Sequence, residues 1–162
     1  MRLAQAAVSL QLATSVVWGP NWALGLPLIV LNVLIHVLGL GLINHRATSV
    51  LSQRTQRRHP AVAFAVVVGA AALLATCLHA VEAGIWAIAY RLLEALPDLK
   101  SAMLYSLNAM TSYGHEDLLL EHRWQLLGAI EALNGCLLFG LTTAFLFGII
   151  QKVWSSGSLV RH

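Results

Sequence analysis

Three long apolar stretches divide the chain, at residues 23–43, 61–93 and 124–154. Crossing a hydrocarbon core of about 30 Å takes roughly 20 residues of helix, so each stretch can span a membrane. A shorter helical pattern, Leu99 to Met110, precedes the third. It reaches only about 18 Å, enough to enter a membrane and return but not to cross it. The loop Thr111-Ser112-Tyr113-Gly114-His115-Glu116-Asp117 comes next. Non-helical backbone at membrane depth survives only inside protein or beside water. Short helix, loop and long helix, in that order, predict a re-entrant pore loop over residues 97–117. The expected fold is an all-α membrane protein: three transmembrane helices plus one re-entrant pore helix and filter loop.

The connecting pieces refine this plan. Residues 1–22 are apolar with scattered polar positions and end in Trp18-Gly19-Pro20-Asn21-Trp22, where glycine and proline predict a break. A retained interfacial segment is expected there, with Trp18 and Trp22 at headgroup level. A cleaved signal peptide is the alternative, because Arg2 precedes an apolar run. Pro27 falls in the first turns of the first span, where proline is best tolerated. Asn32 and His36 share a helix face and predict a hydrogen-bonded helix contact. Residues 44–60 hold Arg46, Arg54, Arg57 and Arg58, and no other loop is as basic. By the positive-inside rule this loop is cytoplasmic. The N-terminus and residues 91–123 are then outside, and the C-terminal tail, 155–162, is cytoplasmic. The tail is too short for a ligand-binding domain, so none is expected in this chain.

Within the second span, His79, Glu82 and Trp86 share a face. A glutamate at membrane depth is costly, so Glu82 is expected to face protein or water. Two readings stand: Glu82 braces the filter from behind, or it is held by His79 or a tryptophan N–H. Trp86, Tyr90 and Trp124 are expected at the outer membrane interface. Asp98, just after Pro97, is placed to N-cap the short helix. The negative end of that helix, at Met110 and Thr111, favours a cation. Asn108 and Tyr105 are expected to pack behind the loop, with Glu131 in the outer half of the third span.

Composition agrees with a membrane protein. Apolar residues make up 58% and charged residues 10%, against about 25% charged in a soluble domain. The formal charge of +3 is concentrated in one loop and does not suggest nucleic acid. Cys77 and Cys136 fall in apolar helices and read as small buried residues. No glycine-rich phosphate loop, zinc-ligand spacing or nucleophile elbow occurs, and no enzyme is expected. Residues 91–123 carry five acids (Glu94, Asp98, Glu116, Asp117, Glu121) against three bases (Arg91, Lys100, Arg123). Glu116 and Asp117, where the loop turns back outward, would concentrate cations, and His115 there would titrate near neutral pH.

The pore-loop order and the run Trp124-Gln125-Leu126-Leu127-Gly128-Ala129-Ile130-Glu131-Ala132-Leu133-Asn134-Gly135, with Leu138-Phe139-Gly140, resemble bacterial two-helix-pore potassium channels. The closest likeness is to a branch of that pore-loop cation channel family with one extra N-terminal helix. The resemblance covers about Leu28 to Trp154, strongly at the inner helix and more weakly at the filter. It implies a homotetramer in the bacterial inner membrane and passive conduction of a monovalent cation, potassium first and sodium second. It implies a filter at Thr111, Ser112, Tyr113, Gly114, His115, Glu116 and Asp117. Filter support falls to Glu82, Trp86, Asn108 and Glu131. An inner-helix gate hinge falls to Gly135, with Gly140 second; close packing by small residues is the other reading of these glycines.

The filter departs from the family's T-V-G-Y-G-D. An ungapped fit sets Ser112 on the Thr, Tyr113 on the Val and Gly114 on the first Gly, but Glu116 on the second. A gapped fit instead lays Tyr113-Gly114 on the Tyr-Gly pair. A filter replaces the ion's water shell with backbone carbonyls, and glycine permits the positive φ values such a backbone uses. With Glu116 there, an altered, weakly selective filter is expected. Two rival readings come from other classes. One is a non-conducting module that keeps the channel fold for sensing or assembly. The other is a membrane enzyme using His36 and His79 on haem, or His79, Glu82 and Glu131 on a metal.

Overall fold

In a computed structural model, which describes residues 2–54, 60–114 and 118–155, the chain is helical, with no strand among those residues. The helices are α1 (Arg2–Arg54), α2 (Pro60–Leu92), α3 (Leu99–Met110) and α4 (Gln125–Ser155). A single 3-10 turn, His122–Trp124, leads into α4. Three stretches are long and apolar enough to cross a membrane: Trp18–Ser49, Ala61–Leu92 and His122–Lys152. They carry many exposed large hydrophobics, among them Leu38, Leu73 and Phe147. A chain with that much apolar surface suits lipid or partner chains better than water.

Two boundaries differ from the sequence reading. The break expected at Trp18–Trp22 does not occur: α1 runs through Pro20 and Pro27 without interruption. Proline removes one backbone donor and frees one carbonyl, and an apolar helix packed among others absorbs that loss. Asn21 adds a local tie, donating to the Arg123 carbonyl at 2.8 Å and accepting from the Leu127 N–H at 3.0 Å. It thereby occupies one of the otherwise bare N–H groups at the start of α4. The expected basic loop also begins later, because α1 continues to Arg54. Arg57, Arg58 and the tail beyond Ser155 lie outside the described residues.

The chain forms two compact units, of residues 1–32 with 83–136 and of residues 33–82 with 137–162. In the second, Leu40, Ile43, Ala47, Val67, Ala71, Ala75 and Ile149 make a core. Ala71 and Ala75, one turn apart, let backbones approach closely. In the first, Ala83, Trp86, Ala87, Tyr90, Ala102, Leu127 and Ile130 are buried.

Two helix ends of the first unit matter for its site. After α2, Ala95 N–H bonds Tyr90 O at 2.9 Å and Glu94 N–H bonds Arg91 O at 3.2 Å, with Glu94 left-handed at φ 54°. After α3, Tyr113 N–H bonds Asn108 O and Ser112 N–H bonds Ala109 O, both at 3.0 Å, with Ser112 at φ 55°. Both are Schellman endings, which satisfy the last carbonyls and turn the chain sharply. Each uses a side-chain-bearing residue where glycine is usual. Gly114 follows at φ 79°, a conformation that favours glycine.

Candidate functional site

The short helix α3 spans the residues expected for it, Leu99 to Met110. Its start is built by Asp98, in extended backbone at φ −147°, whose side chain accepts from Ser101 N–H at 2.9 Å and Ser101 Oγ at 2.8 Å. Those bonds hold the Asp98 carboxyl below its ordinary pKa, the backbone bond from Ser101 being the largest cause. Pro97, just before the cap, fixes the backbone that enters it.

The buried side of α3 is clamped by one carboxyl group. Glu131 of α4 is fully buried and accepts from Tyr90 Oη at 2.6 Å and from Ser106 Oγ of α3. One side chain therefore ties α2, α3 and α4 within this unit. Tyr105 stands edge-on to Tyr90, ring centroids 5.3 Å apart, and its hydroxyl lies against Gly128. At the far end of α3, the Met110 backbone rests on Gly135. Of the two glycines expected as hinges, Gly135 is thus a close-contact position, while Gly140 has open space around it.

The loop after α3 starts as an exposed turn. Thr111, Ser112, Tyr113 and Gly114 are all exposed, Tyr113 at 83%. Thr111 Oγ1 bonds back to Leu107 O at 2.8 Å, and Asn108 Nδ2 bonds to Leu104 O at 2.8 Å. Asn108 therefore serves its own helix, half-buried. His115, Glu116 and Asp117 lie outside the described residues.

Several side chains sit elsewhere than the sequence led us to expect. Trp86 and Tyr90 do not present rings to headgroups; both are fully buried, centroids 6.2 Å apart, because Tyr90 has its partner in Glu131. The Trp86 indole N–H has no hydrogen-bond partner among the described residues. Cys77 and Cys136 are free and exposed, on outward faces of apolar helices. Asn32 is buried, and its side chain makes no hydrogen bond among the described residues.

His36 and Glu82 are brought together in the second unit. His36 Nδ1 lies 2.8 Å from Glu82 Oε1, both side chains fully buried, and His79 Nδ1 lies 3.2 Å from Glu82 Oε2. Of the ligands in the rival metal-enzyme reading, Glu131 is engaged by Tyr90 and Ser106, while His79 and Glu82 lie beside His36. A haem between His36 and His79 does not fit either. Their ring centroids are 5.0 Å apart and both rings reach the same Thr142 hydroxyl, which leaves no room for a macrocycle.

The sequence reading missed the Glu131 clamp. Its signal was available: the acid Glu131 in a long apolar helix needs hydrogen-bond donors, and hydroxyl residues such as Tyr90 and Ser106 can supply them. Comparison with protein-family models, with curated proteins and with solved structures found no match.

Proposed function

We propose that this chain is one subunit of a pore-loop cation channel, resembling bacterial two-helix-pore potassium channels and working as a homotetramer. Four copies around an axis would bring four loops together, with Thr111 to Asp117 as the ion path. The observation that carries this reading is the clamped short helix. α3 is too short to cross a bilayer, yet it is capped at Asp98, tied by Ser106 to a buried carboxyl and seated on Gly135. A surface helix between two spans has no need of such anchoring. A helix that must hold a filter loop in register does.

Three further features support it. The chain reverses at Ser112 and Gly114 with positive φ, giving the backbone turns that a carbonyl-lined path uses. Thr111 to Gly114 stay exposed in the single chain, which suits residues completed by neighbouring copies. Leu104, Leu107 and Leu133 are exposed in the same unit and offer apolar surface for those neighbours. The acid-rich residues 91–123 would then face outward and the arginines inward, in a bacterial inner membrane. The permeant ion is a monovalent cation, and Glu116 at the second glycine position of the ungapped fit makes selectivity weak.

Ion uptake by liposomes containing the purified chain tests this. Potassium and sodium uptake with weak discrimination is the expected result. No uptake of any cation by verified, folded tetramers would contradict it and favour a non-conducting module with the same fold.

A further inference from the structure

His36 of α1, His79 and Glu82 of α2 and Thr142 of α4 close a ring inside the second unit. Its four contacts are His36 Nδ1 to Glu82 Oε1 at 2.8 Å, His79 Nδ1 to Glu82 Oε2 at 3.2 Å, His79 Nε2 to Thr142 Oγ1 at 3.0 Å and His36 Nε2 to Thr142 Oγ1 at 3.1 Å. Each contact needs one hydrogen between two electronegative atoms. With both imidazoles neutral and the glutamate ionised, the rings supply two, the Thr142 hydroxyl one and the carboxylate none. Three hydrogens serve four contacts, so one contact sets lone pair against lone pair.

The geometry identifies that contact. His79 Nδ1 and Glu82 Oε2 face each other without hydrogen-bond geometry, and neither atom has a hydrogen-bond partner among the described residues. Glu82 and His36 have no exposed surface. Leaving a buried carboxylate oxygen and a ring nitrogen unpaired costs free energy anywhere, and more at membrane depth. A cation between the two Nδ1 atoms and the carboxylate removes the conflict.

We propose that His36, His79 and Glu82 form a binding site for a divalent transition-metal ion of the zinc class. Their ligand atoms all lie within 4.8 Å of one another. Ligands about 2.0–2.1 Å from a common zinc stand roughly 3.4 Å apart in a tetrahedron, so a local rearrangement, with the two contacts to the carboxylate opening slightly, completes the site. Two imidazoles and one carboxylate suit zinc, cobalt or nickel better than magnesium or calcium, which take oxygen ligands. With the metal on both Nδ1 atoms, both rings carry their hydrogen on Nε2. Thr142 Oγ1 has two lone pairs and accepts both. All four contacts are then satisfied, and Thr142 fixes both tautomers as an outer-shell partner does. Phe139 stacks on His79, centroids 4.4 Å apart, and holds that ring. The spacing of His79 and Glu82, three apart on α2, sets imidazole and carboxylate side by side. The site ties three helices of its unit and is independent of whether the chain conducts.

The test is metal titration of the full chain, purified with a histidine-free affinity tag and stripped with chelator. Co2+ should bind at one per chain, with the visible absorption of a low-coordinate site, and Zn2+ should displace it. His36→Gln, His79→Gln and Glu82→Gln should each weaken binding at least about tenfold, and Thr142→Val by about tenfold while leaving every ligand in place. His122→Gln, at an exposed histidine, should leave binding unchanged. Circular dichroism and gel filtration check folding; should a ligand variant misfold, wild-type stoichiometry and Thr142→Val still decide. No stoichiometric binding by folded wild type, or binding that persists in folded His36→Gln/His79→Gln, overturns the proposal.

Discussion

Met110 lies so close to Gly135 that a Cβ there would overlap its carbonyl oxygen, its Cα at 2.7 Å and its carbonyl carbon at 2.8 Å. The obstacle is backbone, which cannot rotate away as a side chain can. Gly135 is thus the seat on which the C-terminal end of α3 rests. Close approach at a small residue is how packed membrane helices commonly meet.

Gly135→Ala should therefore lower thermal stability, by roughly 1–3 kcal/mol, as overpacking does. Gly140→Ala, with open space around it, should be neutral or stabilise by up to about 1 kcal/mol through helix propensity. Tryptophan-fluorescence melting in detergent compares the two. Equal, small effects would remove the seat from the account.

The carboxyl of Glu131 receives two hydroxyls, so its loss should be felt from either side. Tyr90→Phe and Ser106→Ala each leave a buried carboxyl oxygen without its donor. Each should cost about 1–3 kcal/mol. The double variant should not cost the sum, because both donors serve one group. Chemical unfolding of the four proteins measures the coupling; strict additivity would mean that the two bonds act separately.

Asp98 gives a pH dependence whose sign is fixed. Its carboxyl is held below the ordinary range by the Ser101 bonds, so its capping contribution is full above the unfolded pKa, near 4. It is lost as pH falls through the lower folded value. Hydrogen exchange in the first turn of α3 should rise across that acidic window. Asp98→Asn should keep a cap with no acid dependence, and Asp98→Ala should fray the turn at every pH.

Glu116 belongs to the loop that the resemblance marks as the filter. Glu116→Gln should reduce cation uptake more at low salt than at high salt, because the screening length falls to about 10 Å at 0.1 M. Unchanged uptake at both ionic strengths would take Glu116 away from the ion path.

What the sequence made legible was local. α3 could be bounded because Pro97 and Asp98 start it and the polar run after Met110 stops it. The three spans were visible because length and apolarity decide them. His79 and Glu82 could be placed on one face because they are three apart on one helix. The contacts that build the two polar sites were not legible, because they join distant residues: His36 to Glu82 across 46 positions, Ser106 to Glu131 across 25 and Tyr90 to Glu131 across 41. Hydrophobic periodicity says which face is buried, not which polar group it meets. The continuity of α1 through Gly19-Pro20 was misread for a related reason. Proline breaks a helix in water more readily than in a packed apolar bundle.

The most direct test of the central claim reports on the ion path itself. Cys77 and Cys136 are both exposed, so the assay starts from a Cys77→Ser/Cys136→Ser background that retains cation uptake. Tyr113→Cys is then introduced at the exposed turn after α3, and liposomes are treated from outside with a charged, membrane-impermeant thiol reagent. Loss of cation uptake on modification, restored by reductant, is the predicted result. Complete modification with uptake unchanged would contradict an ion path through this loop.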